Sequence, residues 1–243
     1  MSRSAIRPLL RGIRNGNMLA LAKAVTVLEN NLSAKAALLK YLKSAPNRKS
    51  RGLSIAITGS PGSGKSTLIA ALAKLIRKNR KTVAIVAVDP TSPKTGGAFL
   101  GDRVRMQELA EDPGVFIRSM ASRGAHGGVA SATKDTAQLF LKAEYDFVLI
   151  ETVGAGQLDY GATKIADLTI LVLTPESGDE MQFMKGGLSE LADVFVVNKA
   201  DRPSAGAMED SLKKSRTGIP IFKTIAEQRK GINPLYQFIL TQV

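Results

Sequence analysis

The chain has 243 residues, 44% of them hydrophobic, which is enough to build one α/β domain around a large core. It contains no cysteine and a single histidine, His126, so disulfides, thiolate zinc sites and cysteine nucleophiles are excluded and metal chemistry must rest on oxygen ligands. The net charge of +13 and the pI near 10.0 suit nucleic acid, an anionic membrane or an acidic protein, and do not choose among them.

Residues 1–50 are predicted to form a helical lead-in to the domain that occupies residues 51–243. Apolar residues recur at helical spacing between positions 19 and 28 and again between 32 and 42, which predicts two short helices. The first 28 positions hold five basic residues and no acidic one, a composition that also fits a mitochondrial transit peptide. Because no cleavage region separates this stretch from the second helix, we favour a mature segment of a cytoplasmic protein, with the mitochondrial matrix as the alternative.

A Gly-rich loop follows the first apolar run of the domain. Residues 59–66 read Gly-Ser-Pro-Gly-Ser-Gly-Lys-Ser, between an apolar run at 53–58 and a helical pattern at 67–78. This order is typical of a phosphate-binding P-loop, whose backbone N–H groups face the phosphates while the dipole of the following helix favours anions. Lys65 would reach the β- and γ-phosphates, and the Ser66 hydroxyl would hold Mg²⁺. The predicted nucleotide-binding residues of this loop are Gly59, Ser60, Pro61, Gly62, Ser63, Gly64, Lys65, Ser66 and Thr67.

Apolar runs alternate with longer segments through the rest of the chain. The runs lie at 53–58, 83–88, 115–117, 147–150, 168–173, 194–197 and 219–222. Since the segments between them are long enough for crossover helices, we predict an α/β fold with a mainly parallel, doubly wound sheet. No apolar run approaches the roughly 20 residues of a membrane helix, so we expect a soluble protein without a membrane partner.

Acidic residues follow two of the predicted strands. Asp89 comes directly after the run at 83–88, and Glu151 directly after the run at 147–150. Because the carboxyl ends of parallel strands meet at one edge of the sheet, both carboxylates are predicted to lie near the P-loop and to form a Mg²⁺ site with Ser66. The stretch 151–154 has the acid-x-x-Gly pattern of a GTPase switch, in which the Gly154 N–H would sense the γ-phosphate.

A second nucleotide motif lies about 130 residues beyond the first, after the apolar run at 194–197. Its sequence, Asn198-Lys199-Ala200-Asp201, matches an Asn-Lys-x-Asp guanine reader. A carboxylate at Asp201 can accept from both the ring N–H and the exocyclic amine of guanine, a donor pair that adenine lacks. Sites built on such bonds discriminate by roughly 10⁴-fold or more, so we predict that GTP is preferred over ATP.

Longer blocks resemble one family, the methylmalonyl-CoA mutase-associated GTPases, which are at times labelled as arginine/ornithine transport kinases. The blocks lie at 88–93, 95–97, 100–106, 116–124, 127–128, 151–154, 156–157, 179–182, 185–186 and 198–201. The similarity runs from residue 18 to residue 235, and the blocks within 89–106 and 116–128 are far more specific than the nucleotide motifs.

This resemblance implies a GTPase that binds an adenosylcobalamin-dependent acyl-CoA mutase. It would gate transfer of the cofactor from an adenosyltransferase and guard the mutase against damaged cofactor. In the family, carboxylates that match Asp89, Asp102 and Glu151 lie about the magnesium ion. Segments near 89–106, 151–160 and 176–187 serve as switches.

Hydrolysis would require a positioned water and stabilisation of charge on the transferring phosphoryl group. Lys65 and Mg²⁺ are the predicted stabilisers, with Glu151 at the ion. Lys185 lies between Gly-rich neighbours and would swing toward the γ-phosphate when a partner docks, and Gln157 would orient the water. We expect slow turnover when the protein is alone.

The chain departs from the family pattern at three places. It ends at Val243, where family members usually continue into a C-terminal helical extension that forms the dimer, which leaves homodimer formation open. The loop that closes over guanine, Ser-Ala in the family, is Ile225-Ala226 here, so that only backbone N–H groups such as that of Ala226 would contact the base. Leu158-Asp159 follows Gln157 where Ser-Glu is typical.

Two other functions share parts of this pattern. Nickel-delivery GTPases for hydrogenase or urease have the same fold, but they carry Cys and His ligands that this chain can hardly supply. Nucleic-acid binding is suggested only by the basic charge, and the basic runs lack interleaved aromatic residues, so we do not expect nucleic acid as a partner.

Overall fold

The structure, a computed structural model, describes residues 3–30, 34–44, 52–89, 106–121, 131–152, 166–175, 192–215 and 218–243. For residues 3–5, 44, 89, 107, 121 and 215 it describes the backbone alone. The strands in these ranges are β1 (Leu53–Gly59), β2 (Val83–Asp89), β3 (Val115–Ala121), β4 (Phe147–Glu151), β5 (Leu168–Leu173), β6 (Val194–Val197) and β7 (Ile221–Lys223). They form one sheet in the order β3-β2-β4-β1-β5-β6-β7, with every neighbouring pair parallel.

Helices cover both faces of this sheet. Those described are α1 (Arg3–Arg14), α2 (Met18–Glu29), α3 (Lys35–Ser44), α4 (Lys65–Lys78), α5 (Gln107–Ala110), α6 (Ser131–Lys142), α7 (Ala205–Ser215) and α8 (Ile232–Leu240). One face packs against α4, α5 and α8, and the other packs against α2 and α6, on which α1 and α3 pack in turn; α7 packs against β5 and β6. The predicted doubly wound parallel sheet is confirmed.

Strands β2, β4 and β6 are apolar along nearly their whole length because both of their faces are buried. In β4, Phe147 and Leu149 point to the core beneath α4, while Val148 and Ile150 point to the core beneath α6. A strand that is half exposed would show alternating polar residues, and these strands do not. The central strand β1 is buried at every position, and the P-loop begins where it ends.

Strands β1, β2 and β4 extend one residue beyond the predicted runs, and the boundaries of β3 and β7 differ further. The apolar run that predicted β3 ends at 117, but the strand continues to Ala121. Arg118 extends the strand because its guanidinium forms a 2.8 Å ion pair with Glu29 of α2, so a charged residue is accommodated within the edge strand. The last strand runs over Ile221–Lys223 rather than over 219–222, and its pairing with β6 begins at the Pro220 carbonyl, which accepts from the Phe195 N–H.

The lead-in contains one helix more than the two that were predicted. Helix α1 precedes them, and its buried residues Ile6, Leu9 and Ile13 recur at helical spacing among arginines. A β-carbon on Gly12 would lie 2.6 Å from the Ala20 Cβ, so glycine is what lets α1 and α2 cross closely. The lead-in shares one core with β2, β4 and α6, and its description as a separate unit of residues 1–50 stays a prediction.

Aspartates fix the amino ends of the strands by binding a hydroxyl or an N–H of a neighbouring strand. The pairs are Asp146 with Thr82, Asp167 with Ser54, and Asp193 with Thr169. At Thr82, one carboxylate oxygen of Asp146 accepts from the N–H at 2.8 Å and from the hydroxyl at 2.9 Å, and the same hydroxyl accepts from the Asp146 N–H at 3.0 Å. These reciprocal bonds set the register between neighbouring strands.

We expect Asp146→Ala to lower the free energy of unfolding by about 1–3 kcal/mol, because it leaves two donors of Thr82 without their acceptor. Urea unfolding followed by circular dichroism measures the loss. Asp210→Ala is the matched control: Asp210 is an exposed carboxylate on α7, and its replacement should change stability by no more than about 0.5 kcal/mol. An equal loss of unfolding free energy in the two variants would contradict a stabilising role for the bonds between Asp146 and Thr82.

Candidate nucleotide-binding site

The P-loop wraps between β1 and α4. Gly59, the last residue of β1, has a φ of 147°, and a β-carbon there would overlap the carbonyl of Val172 on β5. Gly64 has a φ of 90° and is the N-cap of α4, so it turns the chain into the helix in a left-handed conformation that favours glycine. The first N–H groups of α4 thus face the loop, as an anion site requires.

Lys65 lies at the centre of this loop. Its side chain is only 8% exposed, and its ammonium donates hydrogen bonds of 3.0 Å to the carbonyls of Gly59 and Ser60. A buried cation in a loop with a helix N-terminus makes this concavity strongly attractive to phosphate. The hydroxyl of Ser63, which is fully buried, has no hydrogen-bond partner among the residues that the structure describes, and it lies in the same loop as a further donor.

Ser66 and Glu151 meet beside the loop. The parallel pairing of β1 with β4 places Glu151 opposite Ile57, and the Thr152 N–H donates to the Ile57 carbonyl at 3.2 Å. That register brings the Glu151 carboxylate, 5% exposed, to within 2.6 Å of the Ser66 hydroxyl, which donates to it. The pair consists of oxygen atoms only, which is the ligand chemistry that Mg²⁺ prefers.

The other residues predicted for metal binding and hydrolysis cannot be placed in the same way. Asp89 ends β2 at the carboxyl edge of the sheet, and only its backbone is described. Asp102, Gly154, Gln157 and Lys185 lie outside the described residues. Within the described part of the chain, no three His, Cys, Asp or Glu residues form a group that could hold a metal ion.

Asn198 joins the two nucleotide motifs through its side-chain amide. Its Nδ2 donates to the carbonyl of Ser63 at 2.9 Å, while its Oδ1 accepts from the Thr224 hydroxyl at 3.0 Å and from the Ala226 N–H at 3.1 Å. The residue is 3% exposed. Asn198 therefore positions the P-loop against the loop at 224–226, and a contact between the Ala226 N–H and a base stays a prediction.

Thr224 is a site residue that sequence reasoning missed. It is buried, it donates to Asn198, and its carbonyl accepts from the N–H of Ala200 at 3.0 Å. The available signal was its place between the last strand and the Ile225-Ala226 turn, where a hydroxyl can reach back across the neighbouring strand. The role of the Ser63 carbonyl as the acceptor for Asn198 could not be predicted either, since a backbone acceptor leaves no pattern in the side chains.

Lys199 and Asp201 follow Asn198 at the rim of the site. Lys199 has a φ of 55°, an uncommon conformation for a residue with a side chain, and its carbonyl accepts from the Arg202 N–H at 3.0 Å to close the turn. This turn leaves the Asp201 carboxylate exposed at the carboxyl end of β6. A carboxylate there is an acceptor for a ligand that enters from solvent.

An ion-pair cluster anchors β7, which leads into Thr224. Glu209 of α7 contacts Lys213 at 2.7 Å and Lys223 of β7 at 2.8 Å. Hydrogen bonds from Lys213 and then from Lys223 hold the pKa of the Glu209 carboxyl below its usual value of 4.5. The carboxylate is thus charged at neutral pH and links α7 to the strand that carries the base-side loop.

The comparison with known families decides the class. A family profile described as methylmalonyl-CoA mutase-associated GTPase MeaB matches residues 21–242. The chain belongs to this family. It is a P-loop GTPase, an enzyme that hydrolyses GTP.

Individual relatives agree with this assignment. A protein of Pyrococcus horikoshii, provisionally named a GTPase, is 42% identical over 246 residues, which cover 96% of this chain and 76% of that protein. A Caenorhabditis elegans protein named methylmalonic aciduria type A homolog, mitochondrial, is 38% identical over 208 residues, 81% of this chain and 52% of its own length.

Solved structures share the fold. A crystal structure of an LAO/AO transport system kinase has a TM-score of 0.75 and 25% identity, and the alignment covers 100% of this chain and 76% of that one. HypB from Helicobacter pylori, crystallised with nickel, has a TM-score of 0.58 and 21% identity over 88% of this chain and 94% of that one, a likeness of fold alone. Among the helices that the structure describes, none has the length and hydropathy to cross a membrane.

Alanine at Gly64 and at Gly62 separates a steric clash from backbone strain. Both positions have positive φ, 90° and 78°, so either substitution strains the backbone, by about 1–2 kcal/mol. At Gly64 the new methyl would also overlap Asn198 Nδ2, whereas at Gly62 no atom of the described residues lies within 4 Å of it. We expect Gly64→Ala to destabilise the nucleotide-free protein by about 1–3 kcal/mol more than Gly62→Ala in urea unfolding, because bonds of Asn198 are lost. Equal destabilisation would show that Asn198 does not hold the loop.

Proposed function

We propose that this chain is a magnesium-dependent GTPase that serves as a chaperone for an adenosylcobalamin-dependent acyl-CoA mutase, gating delivery of the cofactor and protecting the mutase. The observation that carries the proposal is the match of residues 21–242 to the mutase-associated GTPases. The name of the C. elegans relative, methylmalonic aciduria type A homolog, supports a link to the same metabolism. An adenosyltransferase is the further partner that cofactor delivery requires. We place the protein in the cytoplasm, with the mitochondrial matrix as the alternative.

The triphosphate lies in the P-loop formed by residues 59–67. Backbone N–H groups and the dipole at the start of α4 bind the phosphate oxygens, and the buried hydroxyl of Ser63 is a further donor beside them. Lys65 exchanges its bonds to the Gly59 and Ser60 carbonyls for bonds to the β- and γ-phosphates. Its ammonium is already held in the loop, so little side-chain entropy is lost on binding.

Guanine is read at the opposite end of the site. The Asp201 carboxylate accepts from the ring N–H and the exocyclic amine, and the aliphatic stem of Lys199 covers one face of the ring. Asn198 fixes both loops around the base through its three hydrogen bonds. The Ala226 N–H, which donates to Asn198 Oδ1 at 3.1 Å, belongs to the same loop and is the backbone group that we propose for contact with the base carbonyl.

Ser66 and Glu151 fit a magnesium ion. Their oxygens are 2.6 Å apart at the start of α4, where the β- and γ-phosphates of a bound nucleotide would lie. Asp89 and Asp102 complete the site by resemblance to the family. When bound, the ion neutralises charge on the phosphates and makes the γ-phosphoryl group a better electrophile.

The chain's own residues would carry hydrolysis as follows. The Lys65 ammonium stabilises charge on the transferring phosphoryl group. Glu151 holds the Ser66 side chain in place by accepting a hydrogen bond from its hydroxyl. Gln157 orients the attacking water, the Gly154 N–H senses the γ-phosphate, and Lys185 approaches it when the partner docks. Turnover is slow without that partner.

The partner assignment is tested with purified methylmalonyl-CoA mutase and, separately, isobutyryl-CoA mutase. We expect one of them to co-elute with the chain in size-exclusion chromatography when a non-hydrolysable GTP analogue is bound, and to raise GTP turnover at least tenfold. The elution volume of the chain alone also reports whether it is a homodimer. If GTP is hydrolysed but neither mutase binds nor stimulates turnover, the chaperone proposal fails while the GTPase assignment stands.

Asp201→Ala should lower the preference for GTP over ATP by on the order of 100-fold. Loss of two hydrogen bonds to a charged acceptor lowers GTP affinity by on the order of 100-fold, whereas the weak affinity for ATP does not change. Isothermal titration calorimetry in magnesium buffer measures both. Asp210→Ala, an exposed carboxylate on α7, should leave GTP affinity unaltered. A GTP affinity in Asp201→Ala equal to that of the unmodified chain would remove Asp201 from the base site.

A further inference from the structure

The turn that joins α1 to α2 contains an asparagine followed by glycine. The chain has eight asparagines, and Asn15 alone precedes a glycine. Asn15 and Gly16 are both exposed, and no atom of the described residues lies within 4 Å of the position that a β-carbon would take on Gly16. Because glycine has no side chain, its backbone nitrogen is open to approach. That nitrogen is the group that attacks an asparagine side chain in deamidation.

Deamidation at this turn needs only water as a co-reactant. The Gly16 backbone nitrogen bonds to Cγ of Asn15, and the bond between Cγ and Nδ2 breaks. The side-chain nitrogen leaves as ammonia with the proton that the backbone nitrogen gives up, and a cyclic succinimide remains. Water then opens the ring at either of its carbonyls. The products are aspartate and isoaspartate, and in isoaspartate the main chain runs through the former side chain.

Hydrogen bonds at the end of α1 hold the reacting nitrogen in place. The Gly16 N–H donates to the Ile13 carbonyl at 3.0 Å. The Asn15 N–H donates to the carbonyls of Arg11 and Gly12 at 3.1 and 3.2 Å. The Gly16 nitrogen must leave its acceptor before it can attack, but only the last turn of α1 has to open, and helix ends open far more readily than a core. The fold therefore slows the reaction without preventing it.

Asn79 provides a reference within the same chain. It follows α4 as Asn15 follows α1, and both asparagines are exposed. Arg80 comes next with a φ of 58°, close to the 67° of Gly16, and its N–H donates to the Arg77 carbonyl at 2.9 Å. The two turns differ because Arg80 carries a side chain and because Nδ2 of Asn79 donates to a backbone carbonyl of α4 at 2.8 Å. Both differences disfavour attack on Asn79.

The crossing of α1 and α2 depends on the length of the main chain in the turn at residues 15–17. The Asn17 N–H donates to the Gly12 carbonyl at 2.9 Å. Oδ1 of Asn17 caps α2 by accepting from the Ala20 N–H at 2.9 Å. Gly12 and Ala20 lie so close that the crossing has no room for a further carbon atom. An extra main-chain atom between the two helices would therefore disturb both the cap and the crossing.

We propose that Asn15 is a site of spontaneous covalent modification, at which isoaspartate forms as the chain ages and loosens α1 from α2. Isoaspartate adds a methylene group to the main chain at the point where the helices are joined. The residues that lose their packing are Ile6, Leu9 and Ile13, which are buried in the core shared with β2, β4 and α6. The site is separate from the nucleotide site, and the inference does not depend on the chaperone role proposed above.

Formation of isoaspartate is tested by incubating the full chain at mildly alkaline pH and taking samples over time. Acid stops the reaction, and mass spectrometry of peptic peptides then measures the acid formed at each asparagine. Labelling with isoaspartate methyltransferase distinguishes isoaspartate from aspartate. We expect conversion at Asn15 to be at least tenfold faster than at Asn79. Asn15→Gln should not react in the same time, because attack on the longer side chain closes a larger and less favourable ring.

Loosening of α1 is measured by hydrogen exchange of its backbone amides. We expect exchange in α1 to be at least tenfold faster in the aged chain than in the fresh chain, and unaltered in aged Asn15→Gln. Fresh Asn15→Asp is the matched control, since it adds the same charge and keeps the normal main chain. Its exchange in α1 should lie within twofold of that of the fresh unmodified chain.

Four results would contradict the inference. Two concern the reaction: Asn15 keeps its amide while a synthetic peptide of residues 11–20 loses it under the same conditions, or Asn15 and Asn79 react at equal rates. The other two concern the consequence. Isoaspartate forms and exchange in α1 does not change, or Asn15→Asp accelerates exchange as much as ageing does, in which case charge alone explains the effect.

Discussion

The site depends on the three hydrogen bonds that the side-chain amide of Asn198 makes. One side chain from the end of β6 donates to the P-loop at Ser63 and accepts from Thr224 and Ala226 beyond β7. Three segments that are far apart in the chain thus share one buried hydrogen-bond centre. An amide suits this position because it carries a donor and an acceptor at once, and either a carboxylate or an ammonium would leave one side unsatisfied.

The parallel sheet places this centre where it can act. Each strand ends at the same edge, so the P-loop after β1, Glu151 at the end of β4 and Asn198 after β6 are brought together although they are about 90 and 130 residues from the loop along the chain. Register then decides the finer contact: pairing of Ile57 with Glu151 sets the carboxylate against Ser66. At the opposite edge, aspartates bind the strand starts and hold that register.

The fold class was predictable, and the P-loop could be located along the chain, because their signals are local. The glycines and the Lys-Ser pair of the P-loop have a fixed spacing between a strand and a helix. Fully apolar runs predict strands that are buried on both faces. Thr224 and the positioning role of Asn198 were not predictable, since they depend on which backbone atoms lie nearby after folding. Helix α1 was missed because three buried apolar residues lie among four arginines, and the end of β3 was missed because Arg118 is neutralised by Glu29, a partner that lies 89 residues away.

The shared core of α1, α2 and α3 has a practical consequence for anyone who shortens this protein. Phe116 of β3 and Phe140 of α6 belong to the same buried cluster as these helices, because α2 packs against β3 and both α2 and α3 pack against α6. A recombinant fragment that starts at β1 would expose this apolar surface to water. Such a fragment would tend to self-associate whatever its affinity for nucleotide. The minimal catalytic unit is therefore larger than the sequence motifs for nucleotide binding would suggest.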